Sequence, residues 1–241
     1  MSAHQVTHIN SYADAIAAGN ALLCLPLEIR QEIFAFAAPH GRSEAANMLQ
    51  GRRCEWLPPM CHVNDDFFIE SLPMFLRHRT LVVRKSSSAY NLRYFLLATN
   101  TLASIYKLRF TTAEAFTPLS AGAWLLSNCI NLRDVWLSFR RCDFNVLPSA
   151  TATNNHLNRT LKKIDMKAFA ESYPFRQLLS LRYLERVTLF LINDGLLPDG
   201  ASDLLVHIKR WLKRKFEGRK FSLVEIVYCS FTSDFDIADY A

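Results

Sequence analysis

A six-residue pattern with apolar residues at its first, fourth and sixth positions recurs through the last two thirds of the chain and restricts its fold more than any other feature. It reads Ile105-x-x-Leu108-x-Phe110, Leu132-x-x-Val135-x-Leu137, Leu161-x-x-Ile164-x-Met166, Leu184-x-x-Val187-x-Leu189 and Leu223-x-x-Ile226-x-Tyr228. The fourth and sixth positions alternate with polar residues, as in a strand that buries one face. Successive starts lie 27, 29, 23 and 39 residues apart, which leaves room for a helix in each interval. Ala121 to Cys129, Pro174 to Arg182 and Ser202 to Glu217 supply such helices, the last with Leu204, Leu205, Ile208, Leu212 and Phe216 at helical spacing and Gly218 as a C-terminal cap. Strands alternating with helices predict an α/β (or α+β) fold with a mainly parallel sheet and right-handed crossovers, built as an irregular solenoid with an ordinary α/β sandwich as the alternative.

The repeat spacing resembles that of leucine-rich repeats, which place one strand and one helix in each unit. The resemblance implies an irregular, leucine-rich-repeat-like curved sheet over residues 86–241 with helices on its outer face. None of the five units carries the Asn that follows the strand in regular members of that family. By alternation, the third and fifth positions of each unit face the open, concave side. They are Lys107 and Arg109, Asp134 and Trp136, Lys163 and Asp165, Arg186 and Thr188, and Glu225 and Val227. Trp and Arg dominate binding hot spots, so Arg109, Asp134, Trp136, Lys163 and Arg186 are the candidate contacts for a protein target.

The N-terminal third has a different texture. Leu25-Pro26 opens a helix with Glu28 in its first turn, Leu25, Ile29, Ile33 and Phe36 recur on one side, Phe34 and Ala37 widen the stripe, and Pro39 with Gly41 ends it. Periodicity alone reads this as an amphipathic core helix. His40 to Pro59 is polar and punctuated by Gly and Pro, which predicts a loop. A second helix follows Pro58-Pro59, with Met60, Val63 and Phe67 on one side and a kink or restart at Pro73. Leu81-Val82-Val83 reads as a short strand, and Ser86-Ser87-Ser88 as a turn at the boundary between an N-terminal helical module, 1–85, and the repeat region, 86–241. Residues 1–20 are poor in apolar positions and are expected to be loosely ordered.

Leu-Pro-x-Glu-Ile-Arg-x-x-Ile-Phe, with Met60 to Asn64, Glu70 to Phe75 and Thr80 to Val83 downstream, resembles the opening of the F-box-like domains of filamentous fungi. The resemblance covers about the first third of the chain. It implies a helical module that docks on the Skp1-type adaptor of cullin ubiquitin ligases, with Leu25, Pro26, Ile29, Ile33 and Phe34 as contacts. The chain lacks the short Asp-Leu link between the first two helices and the Val-Cys-x-x-Trp pattern of adaptor-binding members.

Composition narrows the function classes. With 50% hydrophobic and 12% aromatic residues the chain builds a core rather than remaining disordered. The first 20 residues lack the architecture of a secretory signal, no apolar run reaches the ~20 residues of a membrane span, and the six cysteines are scattered, which together suggest reduced thiols in the cytoplasm or nucleus. The sequence has no Gly-x-Gly-x-x-Gly, phosphate-loop, His-Glu-x-x-His or Gly-x-Ser-x-Gly motif. Cys54, Cys61 and His62 lack paired metal-ligand spacing, and Asp234, Asp236 and Asp239 lack the Gly and Glu of a calcium loop. No catalytic residue, metal or cofactor is expected, and the leading expectation is a non-enzymatic substrate-recognition subunit of a ubiquitin ligase. The net charge is +6, and Lys213, Arg214, Lys215, Arg219 and Lys220 form a basic cluster. An adaptor-independent scaffold or a nucleic-acid-associated protein is therefore the alternative.

Overall fold

The computed structural model describes residues 21–22, 24–37, 42–44, 56–140, 143, 173, 175–193, 201–218 and 223–230. The chain divides into two compact units, Met1–Pro39 with Leu57–Phe75, and His40–Trp56 with Leu76–Ala241. The second unit thus takes in the 80–83 strand and part of the segment expected to be a loop.

In the first unit, α1 (Leu27–Ala37) starts directly after Pro26 with Glu28 in its first turn. A 310 turn, Pro59–His62, leads into α2 (Asp65–His78), which begins in the first unit and ends in the second. Asn64 caps α2 by accepting a hydrogen bond from the Phe67 N–H at 2.9 Å, and Asp65 and Asp66 lie where the helix dipole favours acids. Pro73 does not divide this helix, which runs through it as one element. The carbonyl deprived of a donor by the proline is that of Ile69, an exposed residue. Phe34 from α1 meets Phe67 from α2 edge to face, with centroids 5.6 Å apart. Cys61 and Ser71 are both buried and share a hydrogen bond at 3.1 Å.

The second unit is built on one six-stranded parallel sheet whose spatial order follows the chain, β1 (Arg42–Glu44), β2 (Thr80–Val83), β3 (Lys107–Phe110), β4 (Asp134–Arg140), β5 (Arg186–Asn193) and β6 (Leu223–Ser230). In a parallel sheet whose order never reverses, crossovers of one hand carry their helices on one face. These helices are α3 (Ser86–Ala98), α4 (Ala121–Asn128), α5 (Phe175–Ser180) and α6 (Ala201–Phe216). On that face the sheet buries Leu81, Leu108, Val135, Val187 and Val224 in one row, and Val83, Phe110, Leu137 and Leu189 in the next. An aromatic chain from Phe110 through Phe116, Phe139 and Phe175 to Trp211 ties this core to α5 and α6.

Three sequence expectations change. Ser86-Ser87-Ser88 is the first turn of α3 rather than a linker, with Ser88, Ala89, Leu92 and Leu96 facing the core. Leu81 and Val83 stand level with Leu108 and Phe110, so β2 is a repeat like the others, with His78 in place of the first apolar residue. β4 pairs directly with β5 along its whole length, and the third pattern, residues 161–166, lies outside the described residues. The last pattern is displaced by two residues, since Val224 and Ile226, not Ile226 and Tyr228, align with Val187 and Leu189. Leu223 consequently takes the place of Arg186 and is exposed.

The repeats are joined by regular secondary contacts. The Thr112 and Ser86 hydroxyls donate to the carbonyls of Arg84 and Glu114, and the Asn131 amide to that of Ala103, each link spanning 28 residues. α3 closes with Asn100 at φ 53°, where the Thr101 N–H reaches back to the Leu96 carbonyl and the Asn100 N–H to that of Leu97. Gly218 follows α6 at φ 87°, as its predicted capping role requires.

Candidate functional site

Three surfaces carry the residues that the sequence singles out. The first is the outer face of α1. Periodicity places Leu25, Ile29, Ile33 and Phe36 on the buried side, whereas in the folded chain these residues are exposed, with Ile29 at 45% and Phe36 at 87%; Leu27 is exposed as well. The buried side of the helix is defined by Phe34, at 2% exposure, together with Arg30. Arg30 forms a fork with Glu70, donating from Nε at 2.7 Å and from Nη2 at 2.6 Å. That bond, ahead of burial, raises the guanidinium pKa and keeps the cation charged. Of the sequence-derived adaptor contacts, Leu25, Pro26, Ile29 and Ile33 lie at the surface, and Phe34 leaves the set because it fills the core against Phe67. Phe36 is exposed on the same side as Ile29 and Ile33, although its spacing alone places it in a core stripe.

The second surface is the sheet face opposite the helices. The register assembles the expected residues into rows, one running Thr80, Lys107, Asp134, Arg186 and Leu223, the next Val82, Arg109, Trp136, Thr188 and Glu225. Asp134 and Arg186 face each other across neighbouring strands at 3.7 Å. Burial raises the Asp134 carboxyl pKa even though Arg186 and Lys107 oppose the shift. The expectation of an open face holds for Arg186, which is exposed, and partly for Asp134 and Trp136, which are half-buried. It fails for Arg109, at 3% exposure, whose guanidinium lies 5.0 Å from the centre of the Phe190 ring. Ser138, Thr188, Phe190 and Ile192 on this face are buried as well. Alternation along a strand fixes the face a side chain takes, not what covers that face. Lys163 lies outside the described residues.

The third surface is the solvent side of α6. Leu205, Ile208, Leu212 and Phe216 bury one stripe of the helix, while Arg210, Lys213, Arg214 and Lys215 are exposed on the other. Arg219 and Lys220 lie outside the described residues.

Cys61 and Cys129 are buried, and Cys24 is exposed. Burial alone pushes the Cys129 thiol up to about 12, too high to form a reactive thiolate at neutral pH. Among the described residues no three His, Cys, Asp or Glu side chains gather as metal ligands, and no helix is long and apolar enough to cross a membrane. No family model, curated protein or solved structure matches the chain.

Proposed function

We infer that the chain is a non-enzymatic recognition subunit that couples a protein target to a cullin-type ubiquitin ligase from the cytoplasm or nucleus. The observation that carries this reading is the unpartnered apolar face of α1, where Leu25, Ile29, Ile33 and Phe36 are exposed beside Pro26. A helix that served the core alone would turn these residues inward and its Arg outward; here Arg30 and Phe34 point in. A contiguous apolar face of this kind costs solubility and marks an interaction surface. The F-box-like wording of the same residues supplies the partner, a Skp1-type adaptor that takes an apolar helix face.

The α/β unit is the target-recognition half in this reading, a leucine-rich-repeat-like curved solenoid. Supporting it are the chain-order parallel sheet, the equal 27-residue steps from Leu81 to Leu108 to Val135, and the side-chain links that join the β2, β3 and β4 repeats. Arg186, Asp134 and Trp136 supply the accessible contacts on the sheet.

Titration of the full chain with the purified adaptor tests the assignment. Saturable binding is expected for the wild type, and at least a tenfold loss, roughly 1.4 kcal/mol, for Pro26→Ala, Ile33→Asp. Absence of binding by the wild type, or equal binding by the variant, overturns it.

A further inference from the structure

The adaptor reading leaves the solvent side of α6 without a role. Lys209, Arg210, Lys213, Arg214 and Lys215 lie within two turns, and among the described residues no carboxylate forms an ion pair with any of them. Lys209 with Lys213 and Arg210 with Arg214 are like charges four residues apart, an arrangement that destabilises a helix. The helix dipole compensates cations in the last turn, where Lys213, Arg214 and Lys215 lie, but its effect fades before Lys209 and Arg210. Packing the helix on the sheet does not require this charge, because Leu205, Ile208, Leu212 and Phe216 already anchor it.

The surroundings select the polyanion. The apolar stripe is committed to the core, so α6 has no greasy face to insert into a lipid surface, as an interfacial helix would. Trp211 is half-buried and stands edge-on to Phe175 with centroids 6.4 Å apart, so it offers no platform for stacking unpaired bases. What remains is a ridge of point charges suited to closely spaced phosphates, and duplex DNA carries one charge per about 1.7 Å of its axis. We propose that α6 binds the phosphate backbone of duplex DNA, independently of base sequence, through Arg210, Lys213, Arg214 and Lys215.

Fluorescence anisotropy of the full chain with two labelled duplexes of unrelated sequence, about 20 base pairs each, tests this. Four phosphate contacts give a slope of roughly −3.6 in log affinity against log salt, so raising salt from about 50 to 200 mM weakens binding about 150-fold on both duplexes. Arg210→Gln, Lys213→Gln, Arg214→Gln is expected to flatten the slope by about 2.7 and to lose at least tenfold in affinity at the lower salt. Arg210→Lys, Arg214→Lys keeps the charges and is expected to retain the wild-type slope, which separates loss of phosphate contact from loss of fold. No binding at the lower salt, a wild-type slope near zero, equal binding by the Gln variant, or tighter binding to phosphatidylserine vesicles than to DNA overturns the proposal.

Discussion

Phe34 and Phe36 are two residues apart on one helix and have opposite fates. Phe34 is the inward anchor, packed edge to face on Phe67, and Phe36 stands in solvent. Removing a buried aromatic costs about 3–5 kcal/mol, because the cavity persists after the transfer energy is lost. Chemical denaturation should therefore show a loss of this size for Phe34→Ala and a change within about 0.5 kcal/mol for Phe36→Ala, while adaptor binding weakens in the second variant. Asp134 offers a test of electrostatics at the same scale. Its pKa is raised by burial, so the folded chain holds the proton more tightly than the unfolded one. Such a group stabilises the fold below the unfolded pKa, and the contribution is lost as pH rises through the folded value. Asp134→Asn carries no charge at any pH and should gain melting temperature relative to wild type between about pH 3 and pH 7. A difference that stays constant over that range contradicts the raised pKa.

Within the repeats, α4 comes so close to the preceding 310 turn that Gly122 has no room for a side chain. A Cβ there would overlap the Ala115 carbonyl oxygen and come within 2.8 Å of the Phe110 ring. Alanine gains about 1 kcal/mol in helix propensity over glycine, whereas overpacking costs about 1–3 kcal/mol. The oxygen belongs to the backbone and cannot rotate away, which puts the overpacking at the upper end of that range, so Gly122→Ala should lower stability by about 2 kcal/mol; a variant as stable as wild type would show that the helix moves freely on the turn. Much of this architecture is legible in the chain. Apolar residues at 108 and 110, 135 and 137, and 187 and 189 mark strands and their inner face, and the amphipathic stretches at 121, 175 and 201 become helices at nearly the boundaries that their periodicity sets. β2 was legible as a strand but not as a repeat because His78 breaks the pattern, and β1, Arg-Ser-Glu, has no apolar residue to betray it. α3 was hidden by its serines, which read as a linker although Ser is also a good residue at a helix start. The candidate site was less legible than the fold. Spacing locates the stripe on α1, but which stripe faces inward was decided by the Arg30–Glu70 pair, 40 residues apart in sequence, and no local pattern reports it.

The whole chain combines a helical unit that presents an apolar face with a parallel α/β unit whose strands follow one another in order. A sheet that never reverses its order has no topological switch point, the place where open α/β enzymes build their ligand crevices. In the proposed function the units divide labour, adaptor on α1 and target on the second unit, so adaptor binding should leave the sheet untouched. Hydrogen–deuterium exchange of the full chain with and without the purified Skp1-type adaptor reads both halves at once. Slowed exchange across Leu27–Ala37, with unchanged exchange in Arg186–Asn193, is the predicted result. Unchanged exchange across Leu27–Ala37 at saturating adaptor, or protection that falls on the sheet instead, would contradict it.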